Sequence, residues 1–318
     1  VDAQGRPEGA TEVLRGRAVL SREGASALFE GAPLTLATAF EEAEASRPKA
    51  FPLPVRARIK SASRLSSLES PNVLGILRGS DPTLARETVV LSAHLDHIGI
   101  GREVEGDTIY NGAFDNASGT AGILEIARAF AALPRRPRRS ILFAAVTGEE
   151  KGLLGAEYLA THPTVEGRGV VANLNMDMFV ALFPARDVVA FGAEHSSLGP
   201  LAREMAGRLG LELAPDPFPE QVVFVRSDHY AFVRQGVPAL MLSSGLTSAD
   251  PKLDGAALFG AWIGKVYHSP QDDFSQPMDF AAAATIARLY FLIGHRVAEA
   301  DGRPTWNAGD FFGERFGR

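Results

Sequence analysis

The stretch Val89–His97, VVLSAHLDH, runs from an apolar segment into a group of polar side chains. The same change occurs in residues 141–150, ILFAAVTGEE, and in residues 170–177, VVANLNMD. Short apolar runs of this kind are typical of buried strands, and in open α/β sheets ligands bind just beyond the carboxyl ends of the strands. The three junctions therefore predict an α/β fold in which the polar side chains meet at one site.

Helical and strand-like patterns alternate around these junctions. Residues 123–130 place apolar side chains at helical spacing, and Pro134 ends that pattern. Further helices are predicted over residues 198–209 and from Ser227, as the N-cap, to Gly236. This alternation predicts a three-layer sandwich with a central, mostly parallel mixed sheet and helices on both faces.

The chain changes character after Lys49. Residues 1–49 are richer in Arg, Glu and Ala, contain helical patches at Ser21–Phe29 and Thr35–Ala45, and carry none of the polar clusters. We predict that they form an N-terminal accessory segment.

Residues 50–318 are predicted to form the second domain, which carries the site. It begins with strand-like alternation over residues 55–59. Its tail, residues 304–318, is aromatic but irregular in pattern. We expect this tail to pack on the domain surface as a strap.

Composition excludes several classes of function. The formal net charge of -6 and the absence of a basic patch argue against a nucleic-acid partner, because phosphate binding depends on clustered Lys and Arg. The chain has no cysteine, which excludes disulfides and thiolate metal sites. No uncharged apolar run reaches the roughly 18 residues that a membrane span requires.

The polar residues at the strand ends form the ligand set of a metal hydrolase. Imidazole and carboxylate without thiolate suit zinc, and also manganese or cobalt. A pair of metals needs an anchoring group for each ion and a carboxylate that is shared between them. We expect His94 and His268 to anchor one ion each, Asp115 to bridge them, and Glu150 and Asp177 to complete the two sites.

Two further carboxylates have predicted roles beside the ligands. Asp96 lies two residues beyond His94, on the same side of an extended chain, where it can accept the other imidazole N–H and orient the ring. Adjacent side chains of Glu149 and Glu150 point apart on an extended segment. One of them can bind metal while the other, which we take to be Glu149, transfers protons as general base and acid.

These motifs, in this order, resemble the di-zinc metallopeptidases that include secreted bacterial leucyl aminopeptidases and glutamate carboxypeptidases. The resemblance covers about residues 71–301 and rests on the segments AHLDH at 93–97, NGAFDNASG at 111–119, GEE at 148–150, NMD at 175–177, RSDH at 226–229 and YHSPQDD at 267–273. It implies two zinc ions, one held by His94 and Asp177 and the other by Glu150 and His268, with Asp115 bridging. It also implies a hydroxide between the ions, with Glu149 as the base.

The resemblance carries further implications. Tyr267 resembles a tyrosine that stabilises the tetrahedral oxyanion, and Arg226 resembles a substrate-binding arginine; a core hydroxyl and a surface salt bridge are the structural alternatives. A cis peptide is implied at Asp115–Asn116. The N-terminal segment resembles the end of a protease-associated domain, and the family implies a periplasmic or secreted location.

The remaining histidines have weaker signals. His97 and His229 lie inside motifs but exceed the five expected ligands, so we predict that they pack behind the site. His162, His195 and His295 lack acidic partners at useful spacing and are not expected to take part in catalysis.

The predicted activity is that of an exopeptidase, most simply an aminopeptidase acting on peptides with a free N-terminus. A carboxypeptidase or an N-acyl amino acid amidohydrolase could use the same two metals. A glutamine cyclotransferase of this superfamily uses one zinc and lacks the first histidine, so His94 argues against it. A non-catalytic, receptor-like module should have lost ligands, and this chain has lost none of them.

Overall fold

The computed structural model describes residues 18–60, 62, 64, 66–164 and 169–317. It divides the chain into two compact units, one ending at Glu69 and one running from Ser70 to Arg318. The division falls after Glu69 and not after Lys49, where the change in composition predicts it. The accessory role of the first unit stays a prediction.

The first unit contains the two predicted helices, α1 (Arg22–Leu28) and α2 (Leu36–Glu44). Ser21 and Thr35 cap them, each accepting a backbone N–H at 3.1 Å. The strand predicted over residues 55–59 is wrong: these residues are exposed and adopt no regular structure. Alternating side chains form a strand only where a neighbouring strand supplies hydrogen bonds, and the described residues provide none there.

The strands of the second unit are β1 (Val73–Leu77), β2 (Glu87–His94), β3 (Gly99–Val104), β4 (Asp107–Tyr110), β5 (Ser140–Val146), β6 (Gly169–Asn175), β7 (Asp187–Phe191), β8 (Glu212–Ala214) and β9 (Ala239–Ser244). Seven of them form one sheet with strand order β1-β5-β2-β6-β9-β7-β8. Four of its six strand pairs are parallel, and β1–β5 and β7–β9 are antiparallel. A separate hairpin is formed by β3 and β4.

Helices cover both faces of this sheet, which confirms the predicted three-layer architecture. They are α3 (Ser118–Ala131), α4 (Leu154–Thr161), α5 (Leu198–Arg208), α6 (His229–Val233), α7 (Gly255–Lys265), α8 (Phe280–Glu299) and α9 (Phe311–Phe316). Val89 and Leu91 of β2 pack against α3 and α8 on one face, while Val90 packs against α4 and α6 on the other. This division follows from the two-residue repeat of a strand.

The aromatic tail packs on the second unit as expected, and residues 304–317 are called the C-terminal strap below. Trp306, Phe312 and Phe316 contact a buried cluster around Phe224. The tail is less irregular than its sequence pattern indicates, because residues 311–316 form helix α9, capped by the Asp310 carboxylate. In the described part of the chain, no helix combines the length and apolar character needed to cross a bilayer.

Candidate metal centre

Five side chains predicted as metal ligands converge at one edge of the sheet. His94 ends β2, Glu150 follows β5, and Asp177 follows β6. Because these three strands are parallel neighbours, their carboxyl ends lie side by side. Asp115 enters from the turn before α3, and His268 enters from the turn after α7.

Asp115 lies between two imidazoles. Its Oδ1 is 3.2 Å from His94 Nε2, and its Oδ2 is 3.1 Å from His268 Nε2. His94 Nε2 is also 3.2 Å from Asp177 Oδ1, and His268 Nε2 is 3.4 Å from Glu150 Oε1. The two oxygens of one carboxylate thus face two separate groups of donors.

These separations suit tetrahedral zinc. Ligand atoms about 2.0–2.1 Å from a tetrahedral ion lie about 3.3 Å from one another, close to the distances within each group. Nitrogen and carboxylate oxygen are also the donor types that zinc accepts. The donor set therefore fits one zinc ion on each side of Asp115.

His97, predicted to pack behind the site, lies beside two predicted ligands and forms with Asp115 and Glu150 a group that could hold a metal ion. Its Nδ1 is 2.9 Å from Glu150 Oε1 and 3.8 Å from Asp115 Oδ2, and its side chain is 6% exposed. Both ring nitrogens of His97 and Glu150 Oε1 are buried without a hydrogen bond of acceptable geometry. The motifs supply five expected ligands without His97, although its position in AHLDH indicates that it lies near the site.

The turn that carries Asp115 is held by a buried carboxylate that the motif pattern does not single out. Asp272 accepts the backbone N–H of Phe114 at 2.9 Å and that of Asp115 at 3.0 Å. The Asn116 side chain joins the same turn to the end of β6 by donating to the Met176 carbonyl at 2.9 Å. The peptide bond Asp115–Asn116 is cis, as the resemblance implied.

Asp96 supports the site through different atoms from those predicted. The His94 Nδ1 nitrogen is 3.0 Å from the backbone carbonyl oxygen of Asp96, whereas the carboxylate oxygen is 3.9 Å away. The carboxylate instead accepts the backbone N–H of Glu149 at 3.2 Å. Because the chain leaves β2 immediately after His94, the carbonyl reaches the ring first, and the side chain is free to hold the Glu149 turn.

Ser227 supports Asp177 and does not cap a helix, which corrects the predicted N-cap. Helix α6 starts at His229, and Asp228 is its N-cap residue. The Ser227 hydroxyl donates to Asp177 Oδ2 at 2.5 Å and accepts from the Asn175 amide at 2.8 Å. These bonds orient one Asp177 oxygen away from the centre and leave the other facing His94.

Burial and neighbouring charges act in opposite directions on the pKa values of the predicted ligands. Burial alone would raise the pKa of Asp115, but the imidazoles of His268 and His94 hold it below its usual value. Burial alone would lower the pKa of His268, but Asp115 and Glu150 raise it to about 10. Since imidazole binds metal only when neutral, metal binding would displace protons from these rings.

Glu149 differs sharply from Glu150. Burial, reinforced by the charge of Asp177, raises the pKa of Glu149 to about 9. Burial alone would raise the pKa of Glu150, but the nearby imidazoles of His268 and His97 hold it below its usual range. Nearby dications would stabilise the Glu149 carboxylate and lower its pKa. The two neighbouring carboxylates therefore differ in their electrostatic surroundings.

The centre opens into a cavity of about 870 Å³. Tyr267 and Arg226 both line it, and the Tyr267 ring stacks on the His268 imidazole with centroids 3.8 Å apart. Much of the remaining lining is apolar, namely Met178, Val180, Val189, Phe191, Phe218, Val223, Val225, Met241, Leu246, Phe259 and Ile263. The cavity can hold an apolar group next to the metal ligands.

No described ion pair joins the other histidines to the predicted ligands. His229 is fully buried, and burial lowers its pKa to about 4, so it is neutral and suited to packing. His195 contacts Asp310 at 2.7 Å, His162 stacks on Tyr158, and His295 stacks beside Phe130.

An α/β sheet that gathers imidazoles and carboxylates beyond its strand ends has the layout of a metal-dependent hydrolase. The sequence pattern described as peptidase family M28 matches residues 72–292, and the chain belongs to this family. The resemblance drawn from the motifs is thereby confirmed.

Individual relatives match over part of their length. The chain is 38% identical over 125 residues to a probable zinc metalloprotease of Leptosphaeria maculans, covering 39% of this chain and 27% of that protein. It is 28% identical over 248 residues to probable leucine aminopeptidase 2 of Arthroderma benhamiae, covering 74% of this chain and 46% of that protein. The chain thus spans less than half the length of either.

Among solved structures, a zinc aminopeptidase from Bacillus subtilis superposes with a TM-score of 0.54 and 22% identity. The superposition covers 75% of this chain and 52% of that one. At this identity the likeness shows the shared α/β fold.

Proposed function

We propose that this protein is a zinc-dependent aminopeptidase that binds two zinc ions and removes residues from the free N-terminus of peptides. The observation that carries the proposal is Asp115, whose two oxygens face His94 and His268 at the rim of a largely apolar cavity. The names of the two curated relatives and of the Bacillus subtilis enzyme support zinc and aminopeptidase chemistry. The proposal includes a periplasmic or secreted location, which cell fractionation tests.

In this proposal, the ligands retain the roles predicted for them. His94 and Asp177 would hold one ion, Glu150 and His268 would hold the other, and the Asp115 carboxylate would serve both. Bound zinc would polarise the scissile carbonyl and activate water near neutral pH.

The other side chains act on the substrate and its protons. The Glu149 carboxylate takes a proton from the attacking water and returns it to the departing amine. The Tyr267 hydroxyl donates to the substrate oxygen as it gains negative charge. Arg226, exposed at the cavity wall, donates to the peptide beyond the scissile bond, and the carboxylates of the centre attract the positively charged substrate N-terminus.

A panel of short peptides, each with a free and an acetylated N-terminus, tests this activity by mass spectrometry with zinc-loaded protein. We expect stepwise loss of N-terminal residues from the free peptides alone, fastest for apolar residues because they fit the cavity lining. Equal or faster cleavage of acetylated peptides would favour a carboxypeptidase or an amidohydrolase. No cleavage of either series with two zinc ions bound would favour a receptor-like module.

His97 and His268 are both candidates for the imidazole ligand of the second ion, because both lie near Asp115 and Glu150. Their alanine variants distinguish them. We expect His268→Ala to lower bound zinc from about two ions to about one per chain, because the ring lies between Asp115 and Glu150. We expect His97→Ala to retain both ions, with weaker affinity by about 10- to 100-fold, the range for a group that supports a ligand. Elemental analysis after dialysis at a fixed concentration of free zinc measures the zinc content of both variants. The reverse result would make His97 the ligand.

A further inference from the structure

The C-terminal strap packs behind one wall of the active-site cavity. This wall is formed by residues 223–227, called the wall segment here. Val223, Val225, Arg226 and Ser227 line the cavity. Phe224 is absent from that lining, is 8% exposed, and packs in a cluster with strap residues that Val225 also contacts. The segment is therefore two-sided, with substrate-facing groups on one side and one buried ring on the other.

Among the described ring contacts, Phe312 is the strap residue that packs directly on the Phe224 ring. The Phe312 and Phe224 rings meet edge to face, with centroids 5.1 Å apart. His195 packs on both, at 4.7 Å from Phe224 and 4.8 Å from Phe312. Edge-to-face pairs are directional contacts, so they restrict the position of Phe224 as well as burying it.

The strap is anchored independently of Phe312. The Trp306 indole donates to the Gly236 carbonyl at 3.0 Å, and the backbone N–H of Asn307 donates to the His195 carbonyl at 2.9 Å. Gly236 has φ +82°, and a Cβ there would lie 2.5 Å from the Phe316 carbonyl oxygen, so the chain needs glycine where the strap approaches. Removal of one ring would therefore leave the strap in place.

We propose that Phe312 is a positioning residue of the active site. Through Phe224 it sets the place of the wall segment, and hence of Arg226 and of Ser227, whose hydroxyl holds Asp177. The strap lies beyond residue 292, where the family match ends, so this support is supplied by the chain outside the matched region. The inference rests on the proposed aminopeptidase activity.

The test compares two neighbouring phenylalanines of α9. Phe312→Ala opens a space into which Phe224 can move, and displacement of Arg226 weakens substrate binding. Small displacements of positioning groups have large effects, so we expect KM for a free leucyl tripeptide to rise about tenfold, with kcat changed less than about threefold. Phe311→Ala is the matched control. Phe311 is 68% exposed and meets Phe312 edge to face, but no ring contact is described between Phe311 and Phe224, so its substitution should leave both constants unchanged.

Further measurements separate positioning from a structural role. Zinc content and melting temperature are recorded for each variant, and we expect both ions to be retained. Phe312→Leu keeps most of the buried volume but loses the edge-to-face contact, so we expect a smaller rise in KM in a folded protein. This variant keeps the test decisive if Phe312→Ala fails to fold.

The outcomes are distinguishable. If the wild type cleaves the peptide and the Phe312 variants share the KM of Phe311→Ala, the inference is overturned. A lower melting temperature with unchanged KM likewise overturns it, since Phe312 would then be structural. A wild type that cleaves no free peptide overturns the proposed function, and the inference with it.

Discussion

Glu149→Gln is expected to retain both zinc ions and to lose turnover by about 10²- to 10⁴-fold, the usual contribution of a positioned general base. Glutamine keeps the shape of the side chain but cannot accept the proton of the attacking water. Burial raises the pKa of Glu149, whereas the pKa of Glu150 lies below its usual value, so the two carboxylates lie in different electrostatic surroundings. Steady-state hydrolysis of a free peptide and elemental analysis of the same sample give both quantities.

Glu125→Gln is the matched control for this variant. Glu125 lies on the exposed side of α3, in a surface ion pair with Arg128, and its substitution should leave turnover unchanged. Loss of zinc in Glu149→Gln would make Glu149 a ligand and overturn its role as base. Turnover at the wild-type level would also overturn it.

Asp115→Ala is expected to have the larger effect on metal binding. It removes both oxygens that face the two imidazoles, so each group of donors loses a ligand and the ions lose the anion between them. We expect at most about one zinc ion per chain at a free zinc concentration that saturates the wild type, and turnover at background. Metal content by elemental analysis and binding by titration calorimetry measure the loss.

Asp107→Ala is the corresponding control, because this exposed carboxylate of the β3–β4 hairpin bonds only to the nearby Ile109 backbone among the described contacts. Circular dichroism of both variants checks that the fold is kept. Two tightly bound zinc ions in Asp115→Ala would contradict the bridging role.

Local sequence predicts the sheet and its chemistry for a clear reason. Residues 89–94, 141–146 and 170–175 are mainly apolar runs, as strands buried on both faces require. The polar residues that follow them are predicted to lie together, because neighbouring parallel strands end at one edge of the sheet. Helix α3 is equally clear, since its apolar side chains repeat at helical spacing.

Three of the predictions made from the sequence are wrong, each for a physical reason. Residues 55–59 alternate like a strand, but pairing depends on a distant partner that the pattern does not reveal. Ser227 has the chemistry of a helix cap, but Asp177, distant in sequence, takes its hydroxyl. Asp96 is correctly placed beside His94, yet whether its carbonyl or its carboxylate reaches the ring depends on the path of the backbone.

Residue types and their order are therefore sufficient to establish the fold class, the family and the set of candidate ligands, because each of these depends on local periodicity and short motifs. Tertiary structure alone decides which donors face each other. It places Asp115 between His94 and His268 and brings His97 close to Glu150. It also decides that Phe312 supports the wall segment. These contacts join residues far apart in the chain, and their distances are set by packing of the sheet, turns and strap, which no local pattern encodes.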